Sequence, residues 1–205
     1  ILAPALIFSA LASKDFDVVA NRLLILGSVG VVLGSGLIAW PVAKMLRADH
    51  RTFVPPMMFN NCGNMGLPLA VLAFGPSGFS AMVAVFTISN LLHFTVGAWM
   101  IDHHARFGRL LKNPMVWSTV VGFAFALTHP PLPEWATTTF RIVGDALIPM
   151  MLLSLGVRLM DVQWSDWRIG VVGGLVCPLT GIAMAALLSP ILGLDEAQRG
   201  LLILF

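Results

Sequence analysis

The feature that most constrains this chain is the length of its apolar blocks. Hydrophobic residues follow neither helical stripes nor strand alternation. They fall in runs close to the roughly 20 residues that cross a bilayer at about 1.5 Å each. Backbone polar groups in lipid must be paired within their own segment, so such runs are read as helices. Composition agrees: 58% of the 205 residues are hydrophobic, 11% are charged, and the mean hydropathy is +0.88. That is too little charge to cover a soluble domain. The fold class expected is an all-α polytopic membrane protein.

Seven apolar segments can be drawn: 1–12, 23–43, 53–74, 79–101, 115–127, 136–160 and 169–192, with an eighth opening near Leu201. The chain opens on Ile1 rather than Met and stops inside the run Leu201–Phe205, so it reads as a piece of a longer chain. Cys62 and Cys177 lie in apolar blocks with no CxxC or Cys/His spacing, which argues against a disulfide framework or a zinc site. No metal, cofactor or nucleic-acid partner is expected, and the formal net charge of +2 points to none.

Loop charges set the orientation. Lys44, Arg47, Arg51, Arg106, Arg109, Lys112, Arg158 and Arg168 fall on one side; Lys14, Arg22 and Arg199 fall on the other. The positive-inside rule places loops 44–52, 102–113 and 158–168 in the cytoplasm. Trp40, Trp99, Trp117, Trp135, Trp164 and Trp167 lie near segment ends, where interfacial anchors belong.

A faint internal repeat accompanies this pattern. Pro4 and Pro149 stand 145 residues apart, as do Ser9 and Ser154. The same offset carries Leu23 to Arg168, Phe53 to Gln198 and Asn60 to Phe205. The two proline-bearing segments are five crossings apart, so the halves must run in opposite senses, as in many secondary transporters.

The most informative stretch is Asn60-Asn61-Cys62-Gly63-Asn64-Met65-Gly66-Leu67-Pro68, three carboxamides with two glycines and a proline inside an apolar span. Pro68 has no N–H for the carbonyl of Asn64, and Gly63 and Gly66 loosen the turn before it. A broken helix follows, with the second half expected to start near Leu67-Pro68. Its amide N–H groups and positive dipole end suit a carboxylate. Asn60 and Asn64, at i and i+4, would flank it, and Asn90 and Ser9 are further candidates to line the same cavity. The plainer reading is a proline kink whose asparagines bond neighbouring helices.

Asn61–Leu69 resembles the signature of the auxin efflux carrier family, which includes plant auxin exporters and bacterial permeases proposed for malonate or malate. Asn113-Pro114 and the run Gly144-Asp145-Ala146-Leu147-Ile148-Pro149 to Leu155-Gly156 extend the resemblance along the chain. The short 102–113 loop is similar to that of bacterial members. The resemblance implies ten helices in two inverted repeats of five, each with a broken crossover helix, as in bile-acid/sodium symporter-like folds. This chain would hold seven to eight of them. It implies a scaffold at 1–13 and 115–160 and a transport domain at 22–101 and 168–205, containing the crossover 53–74. It implies an elevator-type secondary transporter of small organic anions, dimeric through its scaffold, in a bacterial inner membrane. Asn60, Asn61, Asn64, Gly66 and Pro68 would hold the carboxylate, with a proton or sodium as coupling ion.

Asp145 lies about ten residues into its segment, roughly 15 Å deep. Membrane-embedded carboxylates mark ion paths by default, so Asp145 and Arg141 are candidates for coupling or gating. An Arg–Asp pair at i, i+4 that simply neutralises itself is the structural alternative. His93, near Asn90, reads either as an interhelical hydrogen-bond partner or as a proton relay. Two other functions stay open: a sodium-coupled bile-acid-type symporter, and an intramembrane enzyme. The second lacks a diagnostic nucleophile–base spacing among Ser9, His93 and Asp145.

Overall fold

The computed structural model describes residues 2–12, 17–101, 114–128, 130–160 and 167–205, without the side chains of Asn64, Pro76 and Ser77. The loop expected at 102–113 and residues 161–166 of the loop at 158–168 lie outside the described residues. Among the described residues all regular structure is helical. In chain order the helices are α1 Leu2–Leu11, α2 Val18–Met45, α3 His50–Met58, a π-helical turn Cys62–Gly66, and α4 Leu67–Leu92. A second π-helical turn, His93–Gly97, leads to α5 Ala98–Ile101, followed by α6 Pro114–Thr128, α7 Glu134–Asp145 and α8 Leu147–Met160. The last two are α9 Trp167–Leu192 and α10 Glu196–Leu204. Val18–Met45, Gly78–Ile101, Glu134–Met160 and Trp167–Leu192 are each long and apolar enough to cross a membrane.

Capping chemistry moves two boundaries outward from the hydropathy pattern. Helix α2 starts five residues before Leu23, because the Asp17 carboxylate accepts from Val19 N at 2.7 Å and Ala20 N at 3.1 Å. Helix α10 starts before Leu201, on a capping box in which Asp195 accepts from Gln198 N and Gln198 reaches back to Asp195 N. The turn expected between segments 53–74 and 79–101 sits at Gly75, whose φ of 68° and ψ of −161° only glycine adopts readily.

The two junctions before α3 and α10 have the same construction. Helix α2 ends with Arg47 in the left-handed region (φ 54°), Arg47 N donating to Lys44 O and Ala48 N to Ala43 O. Helix α9 ends with Gly193 (φ 63°), Gly193 N donating to Pro190 O and Leu194 N to Ser189 O. Both are Schellman motifs, and in both an aspartate two residues later, Asp49 or Asp195, caps a nine-residue helix.

Helix α1 packs against α6 and α7, while α2 packs against α9, α3 and α4. Helices α2 and α9 run antiparallel, with Gly27 facing Leu192, Gly30 facing Leu188 and Gly34 facing Met184. A Cβ on Gly34 would stand 2.2 Å from the Met184 Cε, so the larger α9 side chains fill notches left by α2 glycines. The outward faces of α8 and α9 carry exposed leucines such as Leu153 and Leu179, as a lipid-facing surface requires. Trp135 and Trp167 are exposed at the starts of α7 and α9.

Helices α1 and α7 cross closely, and a Cβ on Gly144 would stand 2.8 Å from Leu6 Cα and 2.9 Å from Leu6 N. Backbone atoms cannot swing aside as a flexible side chain can. Gly144→Val is therefore expected to lower the detergent-solubilised protein's stability by about 1–3 kcal/mol, as overpacking does. Gly156→Ala, with nothing within 4 Å of its Cβ, should be neutral or slightly stabilising. Thermal melts of both variants test this, and a Gly144→Val melt matching wild type would refute the tight crossing.

Candidate functional site at the broken span

Helix α3 carries Pro55 and Pro56 and closes with Phe59 N donating to Pro55 O at 2.9 Å. Beyond it the chain leaves helical geometry: Phe59 is extended (φ −114°, ψ 90°) and Asn61 has φ −83° and ψ 45°. Helical winding resumes at Cys62 in a wide turn, with Gly66 N reaching Asn61 O at 3.5 Å and Leu67 N reaching Cys62 O. The break therefore lies at 59–61, several residues before the expected start near Leu67-Pro68. Pro68 cannot donate to the Asn64 carbonyl, and the backbone meets that defect with wider winding rather than an interruption. Asn60 thus stands outside the helix, so the expected i, i+4 face shared with Asn64 does not form. The Asn64 side chain lies outside the described residues.

The first turn amide with a helical partner is Met65 N, donating to Asn61 O at 3.0 Å. The N–H groups of Cys62, Gly63 and Asn64 precede it, and among the described residues they have no backbone partner. They are the orphan donors of a helix N-terminus, with the positive dipole end behind them. Asn60 and Asn61 are exposed beside them. The Asn60 amide Nδ2 donates to the carbonyl of Phe205, tying the break to the end of α10.

One stripe of α4 and the turn after it lies along this segment, antiparallel to it. Met82 packs at Gly66, Phe86 at Gly63, and Phe59 against His93 and Gly97. A Cβ on Gly63 would stand 2.7 Å from the Phe86 Cε2, so glycine is what permits this approach. Asn90 falls between Phe86 and His93 on the stripe, which puts it at the level of the break. Its Nδ2 donates to Phe86 O at 3.0 Å. His93 stacks on Phe59 with ring centroids 4.7 Å apart, and on Phe94 at 5.7 Å. Its described contacts are these stacks and not the interhelical hydrogen bond expected. Thr87, fully buried, has no partner for its hydroxyl among the described residues.

Ser9 stands one helix away. Its hydroxyl donates to Leu6 O at 3.1 Å and faces Gly144 at the α1–α7 crossing. Helix α8, which follows that crossing, packs on the Cys62–Gly66 turn. Asp145 is the last residue of α7, at the bend before α8, and Pro149 leaves its carbonyl without a helical donor. Arg141 and Asp145 are both exposed, and the ion pair weighed for them does not form among the described residues. An Arg one turn before an Asp is also the less favourable order for such a pair.

Sequence reasoning singled out the carboxamides and the proline but missed Phe59, Met82, Phe86 and Phe205, which cover and tie the break. The stripe was readable in part, since Met82, Phe86, Asn90, His93 and Gly97 recur at helical spacing.

The sequence model of the family described as "Membrane transport protein" matches residues 1–171. The chain belongs to this family. It is the auxin efflux carrier family that the motif Asn61–Leu69 resembles. Like its family, the chain is an integral membrane protein of a transporter class. A relative from Rhizobium meliloti (strain 1021), named "Putative malonate transporter", is 27% identical over 178 residues, covering 76% of this chain and 54% of the relative. The chain thus spans about half the length of that curated relative. No solved structure matches it.

Substitutions at Gly63, Phe86 and Thr87 probe the packing of this membrane transport protein. Gly63→Ala should lower the melting temperature, and Phe86→Leu on that background should return part of the loss, with a coupling of about 1 kcal/mol in a double-mutant cycle. Strict additivity would mean that Gly63 and Phe86 do not oppose each other. Thr87→Val removes an unpaired buried hydroxyl at similar shape, and should stabilise the protein by roughly 1 kcal/mol in the same melts. A loss of that size would reveal a partner for Thr87.

Proposed function

We propose that this chain forms part of a secondary transporter that carries small carboxylates across a bacterial cytoplasmic membrane by alternating access. The observation that carries the reading is the row of amides at Cys62, Gly63 and Asn64 that have no backbone partner among the described residues. These donors, backed by a helix dipole and flanked by Asn60, Asn61 and Asn90, are suited to an anion shielded from lipid. Asn64 supplies a further amide, and Gly66 and Pro68 shape the winding that presents the donors. The name of the Rhizobium relative supports a short carboxylate as the cargo.

The helix arrangement supports an inverted repeat. The paired Schellman-and-aspartate junctions stand 146 residues apart at Asp49 and Asp195, one more than the 145 between Pro4 and Pro149. On that register Phe205 is the counterpart of Phe59 rather than of Asn60. Helices α2, α3, α4, α5, α9 and α10 form the moving unit in this reading. Helices α1, α6, α7 and α8 form the scaffold, through which two copies pair. Asp145, at the bend between α7 and α8, and Arg141, one turn before it, form no ion pair among the described residues and serve in gating in this reading. The coupling ion is a proton or sodium, and strict sodium dependence would favour the bile-acid-type symporter instead.

Uptake of malonate, malate and indole-acetate by the full-length protein in proteoliposomes, with and without proton or sodium gradients, tests the proposal. Saturable uptake is expected for at least one acid. Asn61→Ala and Asn64→Ala should each reduce it about tenfold, as loss of one hydrogen bond to a charged group does. Unchanged transport in both variants would return the cluster to a structural role.

A further inference from the structure

The site reading leaves one nearby group unused, the imidazole of His93. From Phe53 to Ile101 the sequence contains no Asp, Glu, Lys or Arg. Apart from Cys62, His93 is the only ionisable side chain in the broken span and the helix lying along it. It is exposed within this chain, in a segment apolar enough to cross the membrane. An imidazole facing hydrocarbon is costly, so such groups turn toward protein or a water-lined path.

The geometry of the ring narrows what it can do. Phe59 and Phe94 stack near it at interplanar angles of 23° and 28°. The ring's stacking contacts are thus already supplied by the protein, which disfavours a further role as a platform for an aromatic ligand. The edge nitrogens remain open, with no hydrogen bond to another described residue. Those nitrogens are suited to an in-plane acceptor such as a carboxylate oxygen.

The spacing fits a particular acceptor. Phe86 marks the level of the Gly63 amide and His93 the level of Phe59. Seven residues of helix separate them, a rise of about 10 Å. Hydrogen bonds of about 2.9 Å at each end leave roughly 4–5 Å between them. That is about the span between the outer oxygens of a three- or four-carbon diacid. Asn90 lies between the two ends, with its Nδ2 committed to Phe86 O.

We propose that His93 determines specificity by binding the second carboxylate of a short dicarboxylate whose first carboxylate sits on the Cys62–Asn64 amides. This rests on the carboxylate-transport reading and names its substrate class. The test compares uptake of malonate with that of malonamate, its half-amide of nearly equal size with a single carboxylate, by full-length protein in proteoliposomes. Wild type should prefer malonate by about tenfold or more, the factor that one hydrogen bond to a charged group carries. His93→Phe keeps an aromatic ring against Phe59. It should bring malonate uptake down to the malonamate level while leaving malonamate uptake within about twofold, and His93→Gln, which retains a donor, should recover part of the preference. Equal losses for both acids, or a preference intact in His93→Phe, would overturn the proposal while leaving carboxylate transport standing. If wild type moves no carboxylate at all, including the acids tested above, the transport reading fails and this inference falls with it.

Discussion

A membrane interior offers no water to a backbone that stops bonding to itself, and the rest of this structure answers to that constraint. The helical ladder fails at Phe59, Asn60 and Asn61, inside an apolar stretch. Lipid cannot solvate the freed amides and carbonyls, whose exposure there costs several kcal/mol each. Protein therefore crowds around them. Phe59 lies on His93 and Gly97, Phe86 on Gly63, and Met82 on Gly66. The Asn60 amide bonds the carbonyl of Phe205. Glycines at 63, 66 and 97 are what allow such large side chains so near the backbone.

Three helix ends meet the gap. Helices α3 and α10 arrive with their C-terminal carbonyls, and the Cys62–Gly66 turn begins there with its N–H groups. Opposite partial charges are thereby collected at one depth without a single formal charge in the broken span. A site built in this way can be closed by moving whole helices. Formal charge in the neighbourhood is held further off, at Arg141 and Asp145 on the α7 side.

Much of the fold could be read from residue order because hydropathy dominates it. Block lengths gave the spans, and the gap left between segments 53–74 and 79–101 is where α4 turns at Gly75. Where the reading slipped, local hydrogen bonding outweighed hydropathy. Asp17 and the Asp195–Gln198 box carry α2 and α10 into polar sequence that a hydropathy window discounts. Pro68 was a sound marker of strain, yet wide winding absorbed its missing N–H and moved the break to Asn60 and Asn61. The spacing of Arg141 and Asp145 allowed a pair, but their order disfavours one and both side chains are exposed. No local pattern could have revealed that Asn60 bonds Phe205, since that contact depends on how distant helices pack.

That last contact bears on how the chain is assembled. The Asn60 amide finds its acceptor 145 residues later in the sequence. At a synthesis rate of roughly 5–20 residues per second, the first broken span waits on the order of ten seconds for α10 to exist. Through that interval the nascent chain holds a defective helix whose polar groups need temporary shelter, from the insertion machinery or from water at the interface. The first broken span is therefore closed only by a helix made long after it has inserted.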